Sequence, residues 1–316
     1  MRYDTNPKTI IWRKTMHKPK NKDEFYQNIT NKIIAQLEKV SLEDYQPPFA
    51  SLAAQGLPVN PFTEKHYQGI NIPCLWFYQQ EKGFNSNQWA TFKQWKEKGV
   101  SVRKGEKGST ICFYKTLLVD EENEQGEETT HKIPMMKLYT VFNAVQVEGY
   151  DNVQQPSLNE TDLVVPVKLP DNFCKSTKAD IRHLNKSAAY YHRIEDYICL
   201  PETINFVNTE DSTATENYYS TLFHELVHWS GAPHRLDRDK AKTNAEKFKY
   251  AFEELVAELG AAMLCAQLGI SQQPRADHAQ YIKSWLQALK NDNKFVFQAA
   301  AHSARAVEYL NQLQPN

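Results

Sequence analysis

The sequence predicts an α+β chain of two domains, the second built around a small sheet and a metal-binding helix. Three observations predict it. The 316 residues are long enough for two domains of ordinary size, each able to bury a core. Residues 149 to 172, "GYDNVQQPSLNETDLVVPVKLPDN", mix Pro, Asn and acidic residues without helical periodicity and read as a linker. Beyond it, "FHELVH" at 223 to 228 sets two histidines one helical turn apart. The expected division is an extension over 1–22, a first domain over 23–148, the linker over 149–172 and a second domain over 173–316.

The elements follow in order. Residues 1 to 22 are polar and basic, with Trp12 as an isolated aromatic, and read as flexible. From Asp23 to about Val40, Phe25, Ile29, Ile33, Ile34 and Leu37 recur at helical spacing, and "QPPFA" breaks the pattern. Two aromatic helices are expected next, "IPCLWFYQQ" and "NQWATFKQWKEKG", the latter closed by Gly99. The basic glycine turn "VRKGEKG" runs into a strand, an acidic loop spans 120–128, and a second strand runs from about Met135 to Val147, which together make a hairpin. After the linker come a helix near Phe173, one or two strands within Tyr190 to Phe206, the histidine helix, an irregular "GAPHRLDRD" loop, a glutamate-bearing helix and two further helices.

His224 and His228 project from one helix face, so one rigid element supplies two of the three protein ligands of a catalytic zinc site. Glu225, one position round the helix, sits beside such an ion and not on it, where it can take a proton from water. The surrounding Leu222, Phe223, Leu226 and Val227 make the helix a buried one, and a buried cluster of this kind is costly without a compensating ion. A solvated surface helix is the alternative, and the apolar flanks argue against it. The third ligand is expected on "YAFEELVAELGAAMLC", residues 250 to 265. Glu254 is the expected ligand and Glu258, one turn on, the acceptor that orients a ligating imidazole; Glu253 is the fallback ligand. One zinc per chain is expected, with manganese or cobalt as alternatives. With it the site is equipped for amide hydrolysis, Glu225 acting as general base and then general acid.

Net charge is −1, but it is unevenly placed. Residues 1 to 119 carry 18 Lys and Arg against 10 Asp and Glu, whereas residues 151 to 316 carry 17 against 21. A basic front half suits a polyanionic partner. Between Tyr67 and Tyr114, Trp76, Trp89, Phe92, Trp95 and Phe113 are interleaved with Lys93, Lys96, Arg103, Lys104 and Lys107. Planes that stack unpaired bases beside cations that track phosphates are what single-strand binding needs, although aromatics at helical spacing also build cores. The expected DNA contacts are Arg103, Lys104 and Lys107 in the glycine turn, with Trp89 and Lys93. The five cysteines are scattered, odd in number and lack a CxxC pair, so they read as reduced core residues. No apolar leader and no 18-residue apolar window occurs, which makes a cytoplasmic protein without a membrane partner the expectation.

From about Phe25 to the C-terminus the chain resembles the ArdC family of plasmid antirestriction proteins. The resemblance is carried by "YQGIN", "WATFKQW", "VRKGEKG" and "YTVFNAVQVEG" in the first half and by "DYICLP", "TLFHELVHWSG", "HRLDR" and "YAFEELVAELGAAMLC" in the second. It implies a single-stranded-DNA-binding domain followed by a zincin-like metallopeptidase domain, and DNA protection during conjugative transfer; related first domains occur in TraC-type plasmid primases. Two classes of function stay open. One is a protein that coats incoming single strands, as an antirestriction factor or a primase accessory with a vestigial peptidase. The other is a DNA-dependent protease of SprT type acting on a DNA-associated protein substrate, and the presence of Glu225 favours it.

Overall fold

The computed structural model describes residues 21–38, 56–122, 128–150, 168–209, 212–238, 249–270 and 282–315, and for residues 36, 115–122, 128–134, 282 and 283 the backbone alone. Helix α1 (Lys22–Leu37) buries Phe25, Ile29, Ile33 and Leu37 along one stripe. Helix α2 (Asn71–Lys82) is buried from Ile72 to Gln79 and stops at Gly83, whose φ of 66° is left-handed. The second aromatic helix is shorter than its pattern. It splits into strand β1 (Trp89–Thr91) and helix α3 (Phe92–Glu97), because Thr91 and Gln94 form a reciprocal capping box that starts the helix at Phe92. Strand β2 (Ser101–Val102) leads through the basic turn to the long hairpin of β3 (Ser109–Glu122) and β4 (Glu128–Asn143). The expected strand through Val147 breaks at Asn143, whose side chain caps a 3-10 turn over Ala144–Gln146, and β5 (Val147–Glu148) then pairs with β2. The sheet order is β1-β4-β3, all antiparallel. The extension over 1–20, the "QPPFA" breaker and the hairpin tip over 123–127 lie outside the described residues.

Helix α4 (Lys168–Thr177) begins inside the stretch read as linker. Pro170 is tolerated there because the first turn of a helix has no intrahelical use for its N–H. Three short strands follow: β6 (Asp180–Leu184), β7 (Tyr190–His192) and β8 (Tyr197–Pro201). β8 is central, parallel to β6 and antiparallel to β7. Polar β6 was not expected as a strand; its side chains are exposed or half-buried, and only pairing with fully buried β8 makes it one.

Four helices complete the fold: α5 (Ala214–Ser230), α6 (Lys249–Leu268), α7 (Ile282–Asn291) and α8 (Phe295–Gln312). A Thr213–Glu216 capping box starts α5. α6 is apolar on nearly every side and is correspondingly buried, with Ser303 Oγ donating to the Val256 carbonyl at 2.8 Å and Trp285 Nε1 to that of Ala251 at 2.7 Å. α5 and α6 touch at Gly260, where a Cβ would lie 2.7 Å from Val227 Cγ2. Absence of a side chain at that crossing lets the histidine and glutamate helices approach. The apolar core is continuous from α1 and α2 to α5, α6 and α8. α1 spans the two halves: Phe25 meets Phe297 edge to face with centroids 5.7 Å apart, and Thr30 Oγ1 donates to the Asn293 carbonyl at 2.9 Å. All five cysteines are buried and unpaired, as expected. Among the described residues no helix is long and apolar enough to cross a membrane.

Candidate metal centre and nucleic-acid interface

The i,i+4 spacing on α5 and the close α5–α6 crossing bring His224, His228 and Glu254 together, with one donor atom of each within 4.8 Å of the others. His224 Nε2 and His228 Nε2 are 3.0 Å apart, and the Glu254 carboxylate oxygens lie 3.5 and 3.6 Å from them. Two imidazole nitrogens and a carboxylate at these separations match donors sharing one ion at about 2 Å. The other ring nitrogens face away from this triangle to two further carboxylates. Glu253 Oε1 lies 3.2 Å from His228 Nδ1 and Glu258 Oε1 lies 3.7 Å from His224 Nδ1. Such partners fix the tautomer and plane of a ligating imidazole. Glu253 therefore holds His228 from behind, and Glu254 is the carboxylate that completes the triangle. Glu225 is 2% exposed on the same helix.

Arg238, to which the sequence gives no role beyond its place in "HRLDR", secures this arrangement. Its guanidinium donates to both Glu253 oxygens, at 3.1 Å from Nε and 2.6 Å from Nη2, to Ser230 Oγ at 2.7 Å and to the Val227 carbonyl. It lies across Gly231, where a Cβ would come within 2.5 Å of Nη2. Burial by itself would raise the Glu253 pKa, but the hydrogen bonds from His228 and Arg238 prevail and hold it at about 2. Burial disfavours the His228 imidazolium, yet Glu253 and the neighbouring Glu254 and Glu225 outweigh it and leave the His228 pKa above its usual value. A second arginine, Arg235, is bonded to Asp196 in the β7–β8 turn and stacks over Trp229 at 3.9 Å. Tyr219 is bonded to Asp171 at 3.1 Å, while Tyr250 and His234 are 62% exposed, His234 beside Asp196.

In the first half, the structure corrects one expected DNA contact. Trp89 is 0% exposed, in β1 beneath Phe84, so no base can stack on it. Trp76 and Trp95 are equally buried. Arg103, Lys104 and Lys107 sit together in the exposed β2–β3 turn, where Arg103 is partly engaged with Glu106 and the Val145 carbonyl. Lys93 is exposed on α3 and 3.6 Å from Glu97. Among the described residues of this half, the exposed aromatics are instead Phe92, Phe113, Tyr114 and Tyr139. Phe113 and Tyr139 point from one face of the β3–β4 hairpin, since Ile111 pairs with Tyr139 and Phe113 with Lys137. A cavity of about 890 Å³ opens beside them, lined also by Lys65, His66 and Tyr67.

Comparison with known proteins agrees with both halves. Residues 23–142 match the family described as the N-terminal domain of anti-restriction factor ArdC, and residues 169–302 match the zincin-like metallopeptidase family. The crystal structure of the metal-free antirestriction ArdC protein from the R388 plasmid superposes with a TM-score of 0.74 at 38% identity, over 91% of this chain and 97% of that one. The chain belongs to the ArdC antirestriction family. The Mn(II)-bound form of the same R388 ArdC gives a TM-score of 0.72 at 37% identity over 92% and 98% of the two chains. Protein y4eC of Sinorhizobium fredii (strain NBRC 101917 / NGR234) is 38% identical over 94% of each chain. A DNA primase TraC of Escherichia coli is 31% identical over 92% of this chain, which spans 27% of that protein's length. A divalent metal at the zincin-like site agrees with the manganese held by the R388 ArdC relative.

The ArdC-family metal triangle was legible because its three donors lie on two regular helices. Arg238 follows an irregular loop and carries no periodicity, so only its bonds disclose it. Phe113 belongs to the aromatic set the sequence offers, but its exposure and that of Tyr139 are not legible there, because strand alternation alone does not say which face meets solvent.

Proposed function

We propose that this ArdC-family protein binds single-stranded DNA through its first domain and hydrolyses peptide bonds at a zinc centre in its second, protecting plasmid DNA from restriction during transfer. The observation that carries the reading is the buried Glu225 on the helix whose two imidazoles converge with Glu254. An ion with a purely structural role has no use for a spare carboxylate, and one so deeply buried is costly to keep there. When bound, the divalent ion supplies Lewis-acid activation of water and of the scissile carbonyl. His224, His228 and Glu254 hold it; Glu253 and Glu258 orient the two imidazoles. Glu225 accepts the proton released as water adds to the carbonyl and returns it to the departing amine. DNA binding is supported by the exposed Phe113 and Tyr139 beside Lys65 and Lys137, and by Lys104 and Lys107 in the basic turn.

The test uses the full chain, because α1 packs its apolar face on α7 and α8 and a separated first domain would expose it. Glu225→Gln keeps the side-chain shape and removes the base. Metal content and single-strand affinity are expected to persist while cleavage of casein or of the chain itself, assayed with and without single-stranded DNA, falls at least about 100-fold. His228→Ala is expected to empty the site. Wild-type cleavage by Glu225→Gln would refute the hydrolytic assignment.

A further inference from the structure

A second cavity, of about 570 Å³, opens where the first domain meets helix α8. Its wall includes Tyr26 and Tyr114, whose hydroxyls are 3.0 Å apart, and a stripe made by Lys294, which caps α8, and by Gln298, Ala301, His302 and Arg305 on that helix. Positions 294, 298, 301 and 305 are three and four apart, so they form one face of that helix. The cavity adjoins the one on the hairpin face: Gln68, Asn71, Cys112 and Phe113 line both. Phe113, 57% exposed, stands at the junction. Both volumes fall within or near the range of ligand sites, about 300–1,000 Å³.

The charge on these walls is one-sided. Lys65, Lys294, Arg305 and the imidazoles His66 and His302 face the two cavities against one carboxylate, Glu64. Lys294 and Arg305 are exposed, and among the described residues neither is in an ion pair. Cations spaced along a groove that also presents exposed aromatic rings fit a flexible chain of phosphates and unpaired bases. They fit a peptide poorly, because a peptide backbone brings no charge to meet them. We propose that single-stranded nucleic acid runs from the hairpin face, past Phe113, into the cleft between the domains, where Lys294 and Arg305 neutralise its phosphates. The proposal rests on the single-strand reading of the first domain and adds that the second domain holds part of the strand. His302, on the same stripe, meets Phe252 edge to face at 5.6 Å, and Phe252 directly precedes Glu253 and Glu254 on α6. The strand is thereby one side-chain layer from the helix that completes the metal triangle.

The test measures binding of fluorescently labelled oligo-dT to the full chain across a salt series for wild type, the double variant Lys294→Ala/Arg305→Ala, Phe113→Ala and Tyr139→Ala. Thermal melting of each variant guards against loss of fold, and none is expected because all four side chains are exposed. The double variant is expected to bind more weakly, with a log–log salt slope flatter by about 1.4, since each single-strand phosphate contributes about 0.7. Phe113→Ala is expected to lose about tenfold in affinity with its slope intact, as a stacking contact does. Wild-type affinity and slope in the double variant, with Phe113→Ala and Tyr139→Ala weakened, overturns the cleft assignment and leaves the single-strand reading standing. A double variant that binds DNA normally but raises KM for casein assigns the cleft to a peptide and equally overturns it. Wild-type binding by all of them overturns both the cleft and the hairpin face.

Discussion

Arg238→Met should weaken both the fold and the metal site, by separable amounts. The arginine side chain is 5% exposed and Glu253, its partner, 15%. Removing the cation leaves a buried carboxylate with His228 as its remaining partner and strips one donor from the Val227 carbonyl, which keeps a hydrogen bond of 2.6 Å from Ser230. Breaking a buried pair from one side costs about 3–5 kcal/mol, and the His228 contact places the expected loss at the lower end, about 3 kcal/mol. Glu253 would be fixed against His228 Nδ1 from one side only, and weakening such an orienting partner is expected to lower metal affinity by about tenfold, the lower end of the range for loss of such a partner. Urea denaturation of the metal-free protein reads the first effect, and competition with a chromophoric chelator reads the second. Arg238→Met/Glu253→Leu separates them. With no buried charge left unpaired, most of the stability should return, whereas metal affinity should stay low because His228 keeps no acceptor. If Arg238→Met costs no more than a surface substitution, within about 0.5 kcal/mol, and binds metal as wild type does, the clamp is not what holds His228.

Two further outcomes follow from burial and charge. Trp89→Ala removes a fully buried indole and is expected to cost about 3–5 kcal/mol in chemical denaturation, while the folded fraction keeps its affinity for single strands; lost affinity in a fully folded variant would return Trp89 to the DNA site. Asp196, held at a pKa of about 2 chiefly by its hydrogen bonds from Arg235, has a depressed folded-state pKa, so its stabilisation is present above its unfolded value of 3.8 and is lost as pH falls through about 2. With 37% of its side chain exposed, solvent screening reduces that contribution to about 1 kcal/mol. Asp196→Asn should therefore match wild type in stability near pH 2 and trail it at pH 7, and equal stability at both would show that the Arg235 pair contributes nothing.

How much of this was legible without coordinates depends on the range of the interaction. The α+β class, the helices at 22–37, 71–82, 214–230 and 249–268, and the pairing of His224 with His228 are consequences of local periodicity, since i,i+4 spacing puts side chains on one face wherever the helix goes. Composition likewise indicated unpaired buried cysteines and a basic first half. Trp89 is in the core and not on a solvent-facing helix: the four-residue capping box Thr91–Gln94 starts the helix after it and leaves Trp89 in a buried strand. Polar β6 became a strand only because β8 lay beside it. The roles of Glu253, Glu254 and Glu258 were separated by their distances to two imidazoles, a matter of how α5 crosses α6 at Gly260. Arg238, the exposed ring of Phe113 and the cleft with Lys294 and Arg305 depend on residues far apart in the chain meeting in space. Sequence determined which chemistry each helix carries; tertiary packing alone decided which groups face the ion, which support it and which side of the hairpin meets solvent, because those choices rest on contacts that no local pattern encodes.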